Sequence, residues 1–249
     1  MRPGPHGRLT GDAVTGRLGR VAAWAVHAYT ASGAGLALLA VVAVIEGDYR
    51  LAFAWLALQV FVDATDGWLA RAVDVHTRLP HFSGAHLDDI VDYLTYVFVP
   101  ALMVWHVPLV GDPWRAVAPA AMLLASAYGF SRTDAKTADH FFTGWPSYWN
   151  LLVFYLLMWQ TTPAFNAAVL LVHAVLVLVP WRYVYPSRTP VLMPLTVLLG
   201  FAWGAALLVA LWQWDEVPAW VRWCSLVFPA YYYGVSAWLA WARRPGSPA

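Results

Sequence analysis

A chain of 249 residues that is 61% hydrophobic and 12% charged, with a mean hydropathy of +0.56, is too apolar for a soluble globular domain. We therefore predict an all-α, polytopic integral membrane protein. The formal net charge of +1 provides no basic field to attract a polyanion, so we expect no nucleic-acid partner. A single cysteine excludes an internal disulfide, and we interpret Cys224 as a packing residue.

The predicted elements begin with a polar N-terminal segment, residues 1–20, which lacks the apolar core of a signal peptide. We interpret it as a cytoplasmic segment, and a helix on the membrane surface is one form that it can take. Eight apolar stretches long enough to span a bilayer follow, at residues 21–45, 50–72, 87–108, 114–130, 147–161, 163–181, 190–212 and 217–242. Because the fifth and sixth are short, seven spans, or six with re-entrant segments, are open alternatives.

The basic residues predict the orientation of these spans. With a cytoplasmic N-terminus, three basic residues face outside: Arg50, Arg115 and Arg222. The inside segments then collect Arg2, Arg8, Arg17, Arg20, Arg71, Arg78, Arg132, Lys136, Arg182, Arg188, Arg243 and Arg244. By the positive-inside rule, both termini and the loop after Arg71 face the cytoplasm.

Four carboxylates lie near the predicted cytoplasmic ends of the second and third spans: Asp63, Asp66, Asp88 and Asp92. Charge at membrane depth is costly, so it indicates a functional site. The spacings of three and four residues place each pair on one face of its helix, and two such helices can direct all four groups to one point. Carboxylate oxygens are the ligands that Mg²⁺ and Mn²⁺ prefer.

Two glycines and an arginine accompany the acids. Gly67 lies one turn beyond Asp63 and Gly84 one turn before Asp88, so each acid pair adjoins helix surface without a side chain, where a bulky ligand can approach the backbone. Arg71, on the same helix as Gly67, offers a planar guanidinium for phosphate. The pattern indicates a metal–diphosphate site at a membrane surface.

These residues match, at every fixed position, the signature D-x2-D-G-x2-A-R, a spacer, then G-x3-D-x3-D, and the chain thereby resembles the CDP-alcohol phosphatidyltransferases. The spacer, residues 72–83, is longer than the commonest form and is similar to that of the bacterial phosphatidylcholine synthase branch. Residues 27–34, 88–97 and 141–146 and the pair Trp149-Asn150 also resemble that branch, whereas Ala64 departs from it. The resemblance covers about residues 22–188.

The resemblance implies a six-helix catalytic core at residues 21–189, followed at 190–249 by two further transmembrane helices and a cytoplasmic tail. It implies metal-dependent transfer of the phosphatidyl group from CDP-diacylglycerol to choline, with release of CMP, in the bacterial cytoplasmic (inner) membrane. It also suggests a homodimer. Position by position, it assigns two ions of Mg²⁺ or Mn²⁺ to Asp63, Asp66, Asp88 and Asp92, the general base to Asp92, and the CDP group to Gly67, Ala70, Arg71 and Gly84.

Choline carries a quaternary ammonium, which proteins recognise with aromatic faces and carboxylates. Tyr96 lies one turn beyond Asp92 on the predicted third span and is therefore our first candidate for a choline contact. Further candidates near the cytoplasmic side are Tyr93, Trp149, Asn150, Tyr148, Tyr183 and Tyr185. Three cations near the predicted site serve either as positive-inside anchors or as ligands of the diphosphate or lipid phosphate: Arg132, Lys136 and Arg188.

Two other functions compete with choline transfer. A sister enzyme would use serine, glycerol phosphate or inositol phosphate, although the phosphorylated acceptors favour a denser basic pocket than one lysine and a few arginines supply. A cation transporter would explain acids in lipid. A transporter would not require the adjacent residues Ala70 and Arg71 or the flanking glycines. The later spans also lack the inverted repeat of the acid pattern that many transporters contain.

Overall fold

The computed structural model describes residues 6–242, and the side chains of residues 16–241. This part of the chain is mostly helical, as predicted, with one π-helical segment, Tyr93–Phe98, and two short strands, β1 (Phe141–Thr143) and β2 (Arg182–Val184). The α-helices are α1 (His6–Ile45), α2 (Tyr49–Ala72), α3 (Val75–Arg78), α4 (Gly84–Asp92), α5 (Val99–His106), α6 (Trp114–Ser131), α7 (Trp149–Met158), α8 (Pro163–Leu178), α9 (Met193–Trp212), α10 (Ala219–Ser225) and α11 (Val227–Ala242).

Helices α1 and α2 form an antiparallel pair joined by a short turn. Asp48 caps the start of α2 by accepting a hydrogen bond from the backbone N–H of Leu51 at 2.9 Å. Ala37 and Ala40 are buried on α1, and such small side chains let two helices approach closely. Residues 6–20 continue into α1 without a break, so the interfacial position of the N-terminal segment stays a prediction, and residues 1–5 lie outside the described part.

The predicted third span is a continuous helical run composed of α4, the π segment and α5. Pro100 explains the change of geometry, because proline has no N–H and its ring clashes with the carbonyl four residues earlier, which is that of Tyr96. The helix widens here, and the N–H of Val99 donates to the carbonyl of Leu94, five residues back. The wider turn lies directly after Asp92.

The two strands were not predicted. They pair antiparallel, with Phe142 opposite Tyr183, and join the segment between α6 and α7 to the segment between α8 and α9. The indole N–H of Trp149 donates to the hydroxyl of Ser126 at 2.7 Å and connects α7 to α6. The pairing depends on residues about forty positions apart, which no local pattern reveals.

The predicted last span is two helices, α10 and α11. Pro229, in the first turn of α11, cannot donate to the carbonyl of Ser225, and this carbonyl instead accepts from the Tyr155 hydroxyl at 2.7 Å. Helix α11 packs on β2, where the Ser236 hydroxyl accepts from the N–H of Val184 at 3.1 Å. The last helices therefore pack directly on the predicted six-helix core, and the division at residue 190 stays a prediction.

Two stretches of the described chain, Gly16–Ile45 and Met193–Trp212, are long and apolar enough to cross a membrane by length and composition. Helices α7 and α8 are apolar but shorter. Helical segments occur at all eight predicted positions, with the boundary differences given above. The count of eight spans nevertheless stays a prediction, and four of the basic side chains used for the orientation lie outside the described part: Arg2, Arg8, Arg243 and Arg244.

Candidate active site

Three of the four predicted carboxylates meet at one point. Asp63 on α2 and Asp88 and Asp92 on α4 each offer an oxygen, and these oxygens all lie within 4.8 Å of one another. We call these three residues the acid cluster. Like charges this close repel one another in a medium of low dielectric, so the cluster calls for a compensating cation.

The surroundings of the acid cluster fit a hard divalent ion. Tyr96, from the π segment, donates its hydroxyl to Oδ2 of Asp63 at 2.8 Å and so fixes that carboxylate. Oδ1 of Asp92 is buried and has no hydrogen-bond partner, which is costly for an acceptor unless a ligand satisfies it. Mg²⁺ and Mn²⁺ bind such oxygen donors. The donor set and this unsatisfied oxygen therefore fit the predicted metal.

Asp66, the fourth predicted ligand, has a different local partner. It is buried, and its Oδ2 accepts a hydrogen bond from the hydroxyl of Thr30 on α1 at 2.7 Å. Its charge still acts on Asp63 and Asp88, so it lies near the acid cluster without being one of the three converging groups. Thr30 was not among the predicted site residues; its hydroxyl within a predicted membrane span was the signal that could have found it.

The two motif glycines have different surroundings. A Cβ added to Gly67 would have one neighbour within 4 Å, the Arg71 guanidinium at 3.5 Å, so the predicted bare surface exists at that position, with Arg71 beside it. A Cβ on Gly84 would lie 2.9 Å from Cε1 of His27. The space at Gly84 is therefore filled by a ring of α1 rather than open to a ligand. Ala70 packs in a small apolar cluster between α1 and α3.

Lys136 reaches the acid cluster from the loop before β1. Its Nζ lies 3.6 Å from Oδ1 of Asp89, and its charge also acts on Asp88 and Asp92. Partial burial lowers the pKa of Lys136, but the neighbouring carboxylates, Asp89 foremost, outweigh this effect and the net shift is upward. The chain's single lysine is therefore charged at neutral pH and stands beside the acids.

The other two predicted phosphate-binding cations have local partners. Arg132 forms an ion pair with Asp134 at 2.8 Å. The guanidinium of Arg188 lies over the ring of Tyr185, 5.6 Å from its centroid. Neither contact reaches the acid cluster, and a phosphate-binding role for these arginines stays a prediction.

Of the predicted choline contacts, Tyr96 is the one that touches the acid cluster. The hydroxyl of Tyr93 donates instead to the carbonyl of Leu123 at 3.0 Å. Trp149 is fully buried against Trp145, and Asn150 accepts from the N–H of Leu151 at 2.8 Å. These contacts place Tyr93 and Trp149 in the packing between helices.

Comparison with known proteins decides the family. The family model for CDP-alcohol phosphatidyltransferase matches residues 27–180, more than half of the chain, and this range contains the whole acid cluster. The chain belongs to the CDP-alcohol phosphatidyltransferase family. It is therefore a membrane transferase of a family that depends on divalent metals. This membership explains the acids without a cation transporter, so the transporter alternative loses its support.

Several relatives resemble the chain along most of its length. A phosphatidylcholine synthase of Rhizobium johnstonii is 37% identical over 215 residues, which cover 86% of this chain and 89% of the relative. The phosphatidylcholine synthase of Pseudomonas aeruginosa is 34% identical, with 89% and 93% covered. That of Legionella pneumophila is 44% identical over 168 residues, 67% of this chain and 66% of its own.

In this phosphatidyltransferase, the hydrogen bond from Thr30 to Asp66 should orient a metal ligand. Thr30→Val keeps the shape of the side chain but removes the donor, so Asp66 loses its orientation. We expect the divalent-metal concentration for half-maximal activity to rise about tenfold or more, the usual effect of removing a group that orients a metal ligand. Metal titrations of purified protein measure this change.

The matched control is Tyr29→Phe. It removes the neighbouring bond between α1 and α2, from Tyr29 to Thr65 at 2.9 Å, without touching a carboxylate. The metal requirement of this variant should stay at the wild-type value. An unchanged requirement in Thr30→Val would show that the bond does not organise Asp66.

Proposed function

We propose that the protein transfers the phosphatidyl group of CDP-diacylglycerol to choline and releases CMP. The observation that carries this proposal is the acid cluster, in which hard oxygen donors from two helices meet near Gly67 and Arg71. Similarity to proteins named phosphatidylcholine synthase over most of the chain supports choline as the acceptor.

The transfer is a displacement at phosphorus. The choline hydroxyl oxygen forms a bond to the phosphorus of the phosphatidyl group, the bond from that phosphorus to the CMP oxygen breaks, and the hydroxyl proton leaves. Asp92 accepts this proton, because it presents a buried oxygen without a partner inside the acid cluster. Tyr96 holds Asp63 beside it and so keeps two carboxylates in a fixed relation before substrate arrives.

Asp63, Asp66, Asp88 and Asp92 would hold two ions of Mg²⁺ or Mn²⁺. Such ions, when bound, neutralise the diphosphate and stabilise the departing CMP. The convergence of three of these carboxylates and the placement of Asp66 next to them support the assignment. The hydrogen bonds from Tyr96 and Thr30 orient two of the ligands, as supporting groups around metal sites usually do.

The CDP group would lie along the cytoplasmic part of α2 against Gly67 and Arg71, and it would reach Ala70 and Gly84 only after the apolar packing of Ala70 and the His27 ring beside Gly84 give way. Open space at Gly67 and the adjacent guanidinium of Arg71 support a diphosphate at that position. Lys136 offers a second cation, next to Asp89 on α4. Arg132 and Arg188 would contact phosphate or lipid headgroups after leaving their present partners.

The acceptor would lie on the Tyr96 side of the acid cluster. The hydroxyl of Tyr96 is engaged with Asp63, and its ring, which is buried in the present structure, would contact the ammonium of choline. Tyr93, Trp149 and Asn150 would shape this region through packing.

The proposed active site faces the cytoplasm. The acid cluster, Lys136, Arg182 and Arg188 lie on or next to segments that the positive-inside rule assigns to the cytoplasm, where choline and CDP-linked substrate are accessible. We place the protein in the bacterial inner membrane with both termini cytoplasmic, and we expect a homodimer and no nucleic-acid partner.

An acceptor screen tests the function. Purified protein in detergent receives CDP-diacylglycerol, Mn²⁺ or Mg²⁺ and one acceptor: choline, serine, glycerol phosphate or inositol phosphate. We expect CMP release and phosphatidylcholine with choline alone, and none in excess EDTA. A faster reaction with another acceptor would assign a sister activity, and absence of CMP with every acceptor would refute the transferase function.

Replacement of Asp92 separates proton transfer from ligand binding. Asp92→Asn keeps the size and one acceptor oxygen but cannot take the proton, so we expect the rate of transfer to fall by about 10² or more while CDP-lipid binding persists. Turnover and equilibrium binding of CDP-diacylglycerol are measured on the same preparation. A parallel loss of both would make Asp92 chiefly a metal ligand, with the base elsewhere.

A further inference from the structure

The loop between α6 and β1 brings the ammonium of Lys136 to the acid cluster. Its Nζ lies 3.6 Å from Oδ1 of Asp89, which adjoins Asp88 in α4. The charge of Lys136 also acts on all three residues of the acid cluster. Among the ion pairs of the described side chains, no other joins a cation to these carboxylates. Lys136 is therefore the side chain that offsets their negative charge.

A compact turn holds the backbone on both sides of Lys136. The N–H of Thr143 donates to the carbonyl of Ala135 at 2.9 Å. The N–H of Thr137 donates to the carbonyl of Phe141, also at 2.9 Å. Because these bonds involve the residues directly before and after Lys136, they fix the point from which its side chain extends.

The side chain of Lys136 is much less constrained than its backbone. It is 52% exposed, and its ion pair with Asp89 is a single contact of 3.6 Å. The other two ion pairs of the described side chains are formed by arginines at 2.8 Å, and Arg132 binds Asp134 through two such bonds. An ammonium on a flexible four-carbon stem changes partners easily, whereas an arginine that forms two parallel bonds has a fixed geometry.

Lysine at this position is an exception in this chain. Fourteen of the fifteen lysine and arginine residues are arginine, and position 136 holds the single lysine. The chain therefore has its most adaptable cation at the place where the local charge changes most when divalent ions bind.

The electrostatics of metal binding predict two effects on Lys136. A divalent cation at the acid cluster repels an ammonium that lies a few ångströms away and competes with it for the same carboxylates. The bound cation also attracts the diphosphate of the substrate, which brings a new anionic partner next to the lysine. Lys136 can reach such a partner without movement of its backbone, because its side chain is half exposed and loosely paired.

We infer that Lys136 is an exchangeable counter-ion of the acid cluster. It stabilises the carboxylates of the metal-free protein, competes with the metal for them, and moves to the diphosphate of the substrate once metal has bound. This inference rests on the proposed function and deepens it, because it gives one side chain opposite effects on metal and on substrate. Lys136 stays charged throughout, so its role is binding and not proton transfer.

The first test is Mn²⁺ binding without substrate, followed by electron paramagnetic resonance at about pH 8, where protons compete little for carboxylates. Lys136→Met removes the charge and keeps an unbranched side chain. We expect its Mn²⁺ dissociation constant to fall by about 3- to 10-fold, the effect of a nearby charge that solvent partly screens. Lys136→Arg keeps the charge and should stay close to the wild-type value. Unchanged or weaker Mn²⁺ binding in Lys136→Met would overturn the inference.

The second test is equilibrium binding of CDP-diacylglycerol at saturating Mn²⁺. Here Lys136→Met should have the opposite effect, with a dissociation constant about 10-fold or more above the wild-type value, because a charge-assisted contact to the diphosphate is lost. Lys136→Arg should retain most of the affinity. A merely structural role of Lys136 would weaken the binding of both ligands, and a role as a membrane anchor would change neither. Either result would contradict the inference.

Arg115→Met is the matched control, because it removes one positive charge far from the acids. Arg115 contacts the ring of Trp105 at the start of α6. Lys136 follows the end of this 18-residue helix, which is about 27 Å long. Both dissociation constants of Arg115→Met should equal those of the wild type. Changes equal to those of Lys136→Met would indicate an effect of net charge alone and would overturn the inference.

The outcomes separate this inference from the proposed function. Neither binding measurement uses an acceptor, so failure of choline transfer by the wild type would refute the acceptor and leave the result for Lys136 unchanged. Normal transfer with equal Mn²⁺ binding by the wild type and Lys136→Met would refute the inference alone. If Lys136→Met cannot be purified as a folded protein, Lys136→Gln removes the same charge and has the same expected and contradicting results.

Discussion

The structure depends on the need to stabilise several carboxylates inside an apolar helical protein. An uncompensated charge at membrane depth is costly, and every element around the acids reduces that cost. Thr30 binds Asp66 across the α1–α2 interface, Tyr96 binds Asp63 across the interface of α2 with the π segment, and Lys136 approaches Asp89 from the loop. These polar contacts between elements also fix how the first helices pack. The compensation is incomplete at Asp92, which leaves a place for a cation.

Local breaks in helix geometry serve this arrangement. Pro100 removes a donor from the third helical run, and the resulting wide turn carries Tyr96 to Asp63. Pro229 acts similarly near the last helices, where the carbonyl that it leaves free accepts from Tyr155. In a membrane, such freed backbone groups persist only when neighbouring helices satisfy them. The two proline-induced irregularities therefore lie at contacts between helices. One is the bond from Tyr155 to the last helices, and the other is the bond from Tyr96 of the π segment to α2.

The sequence predicted the features that depend on local spacing. Residues three and four apart share a helix face, which predicted that two helices could direct four carboxylates to one point; three of them, Asp63, Asp88 and Asp92, converge, and helical segments occur where apolar stretches were expected. Features that depend on packing between distant segments were missed. The partner of Asp66, the ring of His27 against Gly84 and the pairing of β1 with β2 involve contacts over about forty residues or more, which no periodicity encodes. Tyr93 and Trp149 are the opposite case. Their positions in the sequence suggested choline contacts, whereas the hydrogen bonds that they form connect packed helices.

The most direct test of the account is Mn²⁺ binding to the purified protein without substrate, followed by electron paramagnetic resonance. If the acid cluster is a metal site, the wild type should bind Mn²⁺ saturably and Asp88→Asn should lose most of that binding. Asp74→Asn is the control, because Asp74 is an exposed loop carboxylate that accepts a hydrogen bond from Thr77. Equal Mn²⁺ binding by the wild type and Asp88→Asn would contradict the account.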